Sequence, residues 1–214
     1  MTDAGAATQA RHWDTAYEQR GAQGVSWYQA VPVVSLELFD ALGIPTSASV
    51  IDIGGGTSLL AASLVGRGFT DVTVLDISKS ALEVGGAQEE TVDVTMLQAD
   101  VLTWLPSRRY DCWHDRGTFH FFVAEDEREA YRRTLQSAIA PAGFVILATF
   151  ASDGPPTCSG LPVIRYSTDD LAEVLGDTFN VLETRREEHR TPRGALQPFT
   201  WIAGRFRPEL GAVA

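Results

Sequence analysis

Val50-Ile51-Asp52-Ile53-Gly54-Gly55-Gly56-Thr57 is the stretch on which the fold turns. A short apolar, β-branched run reads as a buried strand, three glycines follow it directly, and a helical pattern runs from Leu59 to Val65. Glycine at such a junction lets the backbone turn sharply and lets a ligand approach the helix N-terminus, because no Cβ stands in the way. Outward from this unit the alternation continues. Val72 to Leu75 predicts a strand, Ala81 to Glu90 a helix, Val94 to Leu97 and Tyr110 to His114 strands. Tyr131, Leu135 and Ile139 mark a helix by their four-residue spacing, and Phe144 to Phe150 is a strand entered through Pro141-Ala142-Gly143. Strands alternating with helices pack as a parallel sheet covered on both faces.

The flanks are read in the same way. Ser167-Thr168-Asp169-Asp170 is a capping box opening a short helix. Phe179 to Thr184 and Phe199 to Phe206 are expected to pair as an antiparallel hairpin on the sheet edge, making seven strands. The intervening run Arg185-Arg186-Glu187-Glu188-His189-Arg190 reads as a solvated strand end. Towards the N-terminus, Trp13 and Tyr17 share one face of a helix, and Val34, Leu38 and Leu42 belong to a second that Gly43 and Pro45 stop, with Trp27-Tyr28 between. The expected class is therefore α/β and Rossmann-like. A helical extension over residues 1–48 should close over the site as a lid, and residues 49–214 should form the core.

The 214 residues suit one such domain, with 44 % hydrophobic and 21 % charged residues and no apolar run near the roughly 18 residues of a membrane span. Met1-Thr2-Asp3-Ala4-Gly5 shows neither a basic leader nor an apolar stretch, so a soluble, cytoplasmic protein without a membrane partner is expected. Seventeen basic against twenty-eight acidic residues give a net charge of −11, a field that repels phosphate backbones and argues against a nucleic-acid substrate. Cys112 and Cys158 make no metal-ligand spacing, and both are expected to be reduced thiols, with no metal site.

A glycine turn alone serves many ligands. The dinucleotide fingerprint asks for a third spaced glycine where Leu59 stands, and no Gly-Lys-Ser/Thr follows to make a phosphate-binding loop. Asp52, Asp76 and Asp100 instead fall at the ends of three successive strands. Each alone is commonly a cap or turn residue. Together, after a glycine turn, they suit a cationic ligand without phosphate whose ribose hydroxyls a carboxylate accepts. S-Adenosylmethionine is such a ligand.

His12-Trp13-Asp14 with Tyr17, Trp27-Tyr28, the glycine turn, Asp76-Ile77-Ser78, Asp100-Val101 and Asp115-Arg116-Gly117-Thr118 resemble the class I methyltransferases. Within that class they are similar to the elongation-factor and citrate-synthase lysine methyltransferases, in a bacterial branch. The resemblance covers most of the chain. It implies cofactor contacts at Trp13, Tyr17, Tyr28, Asp52, Gly54, Gly56, Asp76, Ile77, Asp100, Val101 and Arg116, the last departing from the lysine frequent in the family. The product would be S-adenosylhomocysteine, and the acceptor an N, S or O nucleophile, either a protein lysine or a small molecule. The alternative is a non-catalytic adenosylmethionine-binding or partner-stabilising protein.

His114-Asp115-Arg116-Gly117-Thr118-Phe119-His120 closes the fourth strand and gathers acid, base and aromatic groups at the edge where such sheets bind ligands. The acceptor pocket is expected between Asp115, Phe119, His120 and the loop from Cys158 to Arg165, with Asp115 and His120 as catalytic groups and His120 as a base near neutral pH. A Ser-His-Asp hydrolase is disfavoured because no Gly-x-Ser-x-Gly elbow occurs. His12 and His189 are expected to be structural or on the surface.

Overall fold

Two helices precede the first strand in this computed structural model, which describes residues 3–88 and 94–207. Helix α1 (Asp3–Gly24) breaks at Gly21, whose φ of 66° is non-helical, and α2 (Val33–Ala41) ends before Gly43. Then come β1 (Val50–Ile53), α3 (Leu60–Gly66), β2 (Val72–Asp76), α4 (Lys79–Gln88) and β3 (Val94–Gln98). Glu89 and Glu90, the expected end of the helix at Ala81, lie outside the described residues, as do Met1 and Thr2. After them run β4 (Tyr110–Arg116), a 3₁₀ turn at Phe119–Phe121, α5 (Glu125–Ala138) and β5 (Ile139–Phe150). The short pair β6 (Thr157–Cys158) and β7 (Leu161–Pro162) is followed by α6 (Thr168–Leu175), β8 (Phe179–Arg190) and β9 (Leu196–Phe206).

The main sheet has seven strands in the order β3-β2-β1-β4-β5-β9-β8. β3, β2, β1, β4 and β5 are parallel to their neighbours, and β9 pairs antiparallel with both β5 and β8. Every residue of β1 and β2 is buried, as a strand covered on both faces requires. Side-chain alternation divides each central strand between two cores. Val50, Cys112 and Ile146 face Leu38, Phe39 and Leu64 of α2 and α3, while Ile51, Trp113 and Leu147 face Tyr131, Leu135 and Leu171 of α5 and α6. The expected capping box forms: the Asp170 amide donates to Ser167 Oγ at 3.2 Å, and the Asp170 carboxylate accepts the Ser167 amide at 2.7 Å.

The edge hairpin is longer than the sequence reading. Its charged run stays paired to the end of β8, with His189 opposite Gln197 and Arg190 opposite Leu196. Period-two alternation explains it: Glu187 and His189 turn inward while Arg186 and Glu188 face solvent, so charge masked a strand whose inward residues are polar. No helix among the described residues is long and apolar enough to cross a membrane.

One buried polar chain ties β4 to α5. Trp113 Nε1 donates to the Tyr131 hydroxyl at 2.9 Å, and that hydroxyl donates to Asp115 Oδ2 at 2.7 Å. All three side chains are fully buried. Tyr131→Phe leaves one buried donor and one buried carboxylate oxygen short of a partner, so urea unfolding is expected to show a loss of about 1–3 kcal/mol. An unchanged midpoint would mean that the chain contributes nothing net.

Candidate functional site

Strand order reverses between β1 and β4, and the crevice beyond the carboxyl ends of such strands is where open α/β sheets bind ligands. A cavity of about 250 Å³ lies there. Gly54 lines it with φ 65°, and Gly56, with φ 40°, backs it. Both turns need the left-handed region that side chains avoid. The space is also taken: a Cβ on Gly54 would collide with Thr118 Oγ1, and one on Gly56 would lie 2.8 Å from Asp76 Oδ2 and 3.0 Å from the Tyr17 hydroxyl. The glycine turn is thus fitted against β2, α1 and the end of β4.

Asp76 and Asp100 both line the cavity. The Ser78 amide donates to Asp76 Oδ1 at 2.8 Å, and burial, aided by the nearby charges of Asp52 and Asp14, raises this carboxyl to about 7. Asp100 Oδ1 accepts the Leu102 amide at 2.9 Å, whereas its Oδ2 is buried with no partner in the protein. Ile77 and Val101 complete this side with apolar surface. Such a wall offers carboxylate oxygens to hydroxyl and amine donors.

Residues from α1 and the segment after it form the roof. Trp13, Tyr17 and Trp27 line the cavity; Trp27 meets Trp13 and Tyr17 edge-on at 5.7 and 5.8 Å, and Trp13 meets Phe121 at 4.9 Å. Hydrogen bonds to β4, β8 and the start of α4 hold the roof. Asp14 Oδ1 accepts the Ser78 hydroxyl at 2.7 Å and the Ser80 amide at 3.1 Å. Arg116 donates to the Trp27 carbonyl at 3.1 Å and pairs with Glu187 at 3.2 Å. Glu187 also accepts from Gln29 at 2.6 Å and from Trp201 Nε1 at 3.0 Å. Arg116 lies over the Phe199 ring at 4.4 Å, and burial lowers its affinity for its proton while Glu187 opposes that.

Beyond β4 the wall is aromatic, with Phe121, Phe150 and Phe199 around His120, and Cys158, Leu161 and Pro162 close the rim. Burial pushes the Cys158 thiol up to about 11, against Ser26 and Arg116, which disfavours its thiolate at neutral pH. Burial and the Arg116 charge hold His120 down at about 3.

Several expected site residues stand elsewhere. Asp52 does not line the cavity; it lies under the glycine turn with Oδ1 2.7 Å from His114 Nδ1, and His114 Nε2 is 2.9 Å from Ser35 Oγ. That order mimics a hydrolase triad, but Ser35 is 1 % exposed and outside the cavity, so no substrate reaches it. Tyr28 packs on the cluster of Tyr17, Val25 and Ala81 rather than lining the wall. Asp115 is sealed below the floor, where Oδ1 accepts the Thr118 amide at 2.9 Å and burial raises it to about 7. Phe119 faces the opposite core, against Tyr131 and Tyr166, and Arg165 is turned to the Gly154 carbonyl. The 3₁₀ turn presents Phe121 where Phe119 was expected. Glu187, Phe150 and Phe199 were missed because strand interiors carry no local signal of what they face. His189 is a buried tether, 2.7 Å from the Ser26 carbonyl.

Residues 50–143 match the family model described as a methyltransferase domain. The chain is 27 % identical over 189 residues to human EEF1A lysine methyltransferase 2, covering 80 % of this chain and 74 % of that protein. It is also 27 % identical to the mouse protein of the same name, over 64 % of each; the chain thus spans somewhat under two thirds of the mouse relative's length. Among solved structures, an S-adenosylmethionine-dependent methyltransferase from Anabaena variabilis superposes with a TM-score of 0.74 at 18 % identity, covering 93 % of this chain and 95 % of that one. The Burkholderia thailandensis 1,6-didemethyltoxoflavin N1-methyltransferase gives 0.67 at 20 %, covering 94 % and 85 %.

Proposed function

We propose that this chain, a class I S-adenosylmethionine-dependent methyltransferase, moves the methyl group onto a small, apolar or planar nucleophile. The cavity fits the cofactor on its own features: Asp100 Oδ2 is a buried acceptor without a partner in the protein, Asp76 offers a carboxylate for ribose hydroxyls, and Gly54 brings backbone to the cavity wall. When bound, the cofactor supplies an electrophilic methyl on a sulfonium. Trp13, Tyr17 and Trp27 cover it, exclude water and offer ring faces to positive charge. Asp52, Tyr28 and Asp115 act through the turn, the roof and the floor without touching it.

The observation that carries the acceptor class is the wall beyond β4. It consists of aromatic rings, a neutral histidine and the Arg116 guanidinium, which Glu187 engages; Glu127, a carboxylate on this side of the cavity, accepts the Ala124 amide at 3.2 Å. Rings make up most of this wall, which suits a planar, apolar acceptor. Transfer to a protein lysine is the second reading, favoured by the names of the sequence relatives and by the net charge of −11, which attracts basic partners. A radiolabelled methyl-transfer screen over lysate protein and metabolite pools, separated by size, decides between them. Label in the small-molecule fraction is expected, and label confined to protein lysine overturns the proposal. Adenosylmethionine bound but never consumed in either pool would favour the non-catalytic alternative.

Asp76 gives the cofactor site a pH dependence. Its proton competes with the ribose hydroxyls for the carboxylate, so affinity for adenosylhomocysteine is expected to rise with pH through about 7 and level off above. Below that value it should fall about tenfold per unit. Titration calorimetry should show proton release at pH 6, and Asp76→Asn should flatten the profile while weakening binding by about 1.5–3 kcal/mol. A wild-type profile flat from pH 6 to 8 would remove Asp76 from the contact.

A further inference from the structure

We infer that His120 presents its Nε2–H to the methyl acceptor, so that the favoured substrate carries a hydrogen-bond-accepting atom, such as a ring nitrogen or carbonyl oxygen, beside its nucleophile. The inference rests on the small-molecule reading above and names the substrate class more closely.

The Phe150 amide donates to His120 Nδ1 at 3.2 Å. A backbone amide can only donate, so Nδ1 must offer its lone pair, and the single proton of the neutral imidazole sits on Nε2. His120 is held there by the Ile164 amide on its carbonyl at 2.9 Å and by the rings of Phe121 and Phe150 at 4.5 and 4.6 Å. It is 1 % exposed and lines the cavity, and its Nε2 is buried with no partner in the protein. Gly117 puts no side chain against this edge of the ring, where a Cβ would pack 3.7 Å from Cε1 and 4.0 Å from Nε2.

A buried donor without a partner is a standing cost that a ligand removes only by bringing an acceptor. A ligand of the same shape without one leaves that cost in place, which is how a buried polar group discriminates. The same protonation pattern denies His120 the role of base expected from the sequence: Nδ1 is engaged by Phe150, Nε2 has no lone pair, and burial beside Arg116 keeps the ring neutral. The acceptor must therefore arrive as a ready nucleophile, and His120 orients it.

Two measurements test this. Nitrogen NMR of histidine-labelled, adenosylhomocysteine-loaded protein at neutral pH should show His120 as the neutral tautomer protonated on Nε2; a proton on Nδ1, or a charged ring, overturns the inference. The second measurement compares 8-hydroxyquinoline with 1-naphthol, which has the same outline and hydroxyl but no ring nitrogen. Calorimetry on the loaded wild-type protein should favour 8-hydroxyquinoline about tenfold, the effect of one hydrogen bond. His120→Phe, which keeps the ring and removes the donor, should abolish the preference, and His120→Gln, which restores a donor, should recover part of it. Equal affinities in the wild type, or a preference that survives in His120→Phe, overturn the donor role alone. Should His120→Phe fail to fold, the tautomer and the wild-type ratio still decide. Failure of both probes to bind the loaded protein overturns the small-molecule reading beneath it.

Discussion

A protein lacking residues 1–30 is expected to retain a folded sheet and lose cofactor binding. The truncation removes Trp13, Tyr17 and Trp27, three of the large rings of the cavity wall, but none of the strand registers. Loss of one aromatic stacking partner costs on the order of 1–3 kcal/mol, so three together are expected to weaken adenosylhomocysteine by about 100-fold or more. The deletion also takes away the Trp27 carbonyl and the Gln29 amide that help to satisfy the Arg116–Glu187 pair, whose two side chains are only 9 % and 10 % exposed. Circular dichroism should keep its α/β signature while calorimetry shows no heat of binding. A truncated protein that binds normally would show that the aromatics serve packing alone, and that residues 1–48 are not a lid.

Gly54→Val is expected to do comparable damage by a different route. At φ 65° a β-branched residue is strained by roughly 1–2 kcal/mol. Its Cβ must also displace Thr118 Oγ1, breaking the hydrogen bond of that hydroxyl to the Ile53 carbonyl at 3.1 Å. The turn and the start of the 3₁₀ turn then move together, and the cavity loses its floor on both sides. Wild-type protein should gain thermal stability on adding adenosylhomocysteine, as any ligand of the native state confers; the variant should melt lower and gain nothing. An undiminished ligand shift would mean that the cofactor does not lie against this turn.

The parallel half of the sheet was legible because its signals are local. A buried apolar run followed by Gly54-Gly55-Gly56 can hardly be anything but a strand and a turn, and the four-residue spacing of Tyr131 and Leu135 marks a helix without reference to any partner, although Ile139, the third residue of that spacing, opens β5 instead. Asp76 and Asp100 could be found because strand ends in such a sheet share one edge. Direction was not legible. Asp52 is one residue short of its strand's end, and that single step in a period-two element turns its side chain beneath the turn rather than into the cavity. The same parity separates Asp115, which is sealed below the floor, from Arg116, which reaches the cavity. Phe121 takes the place expected of Phe119 because a 3₁₀ turn rotates about 120° per residue, a pitch that no hydrophobic pattern of three residues reveals. Glu187 was read as solvated because the charged residues around it are, and only the fold supplies Arg116 as its partner.

The bond between Gln29 and Glu187 spans 158 residues of chain. Contacts so distant in sequence bear the highest loop-closure cost and form late. During synthesis the roof segment leaves the ribosome early, yet its anchor on β8 emerges only after the five parallel strands have been made. Until β8 is made the roof has its anchor of Asp14 on Ser78 and Ser80 but not Glu187, so the Arg116 side of the crevice is expected to close last. A ligand held by both anchors is expected to stabilise only chains complete through β8.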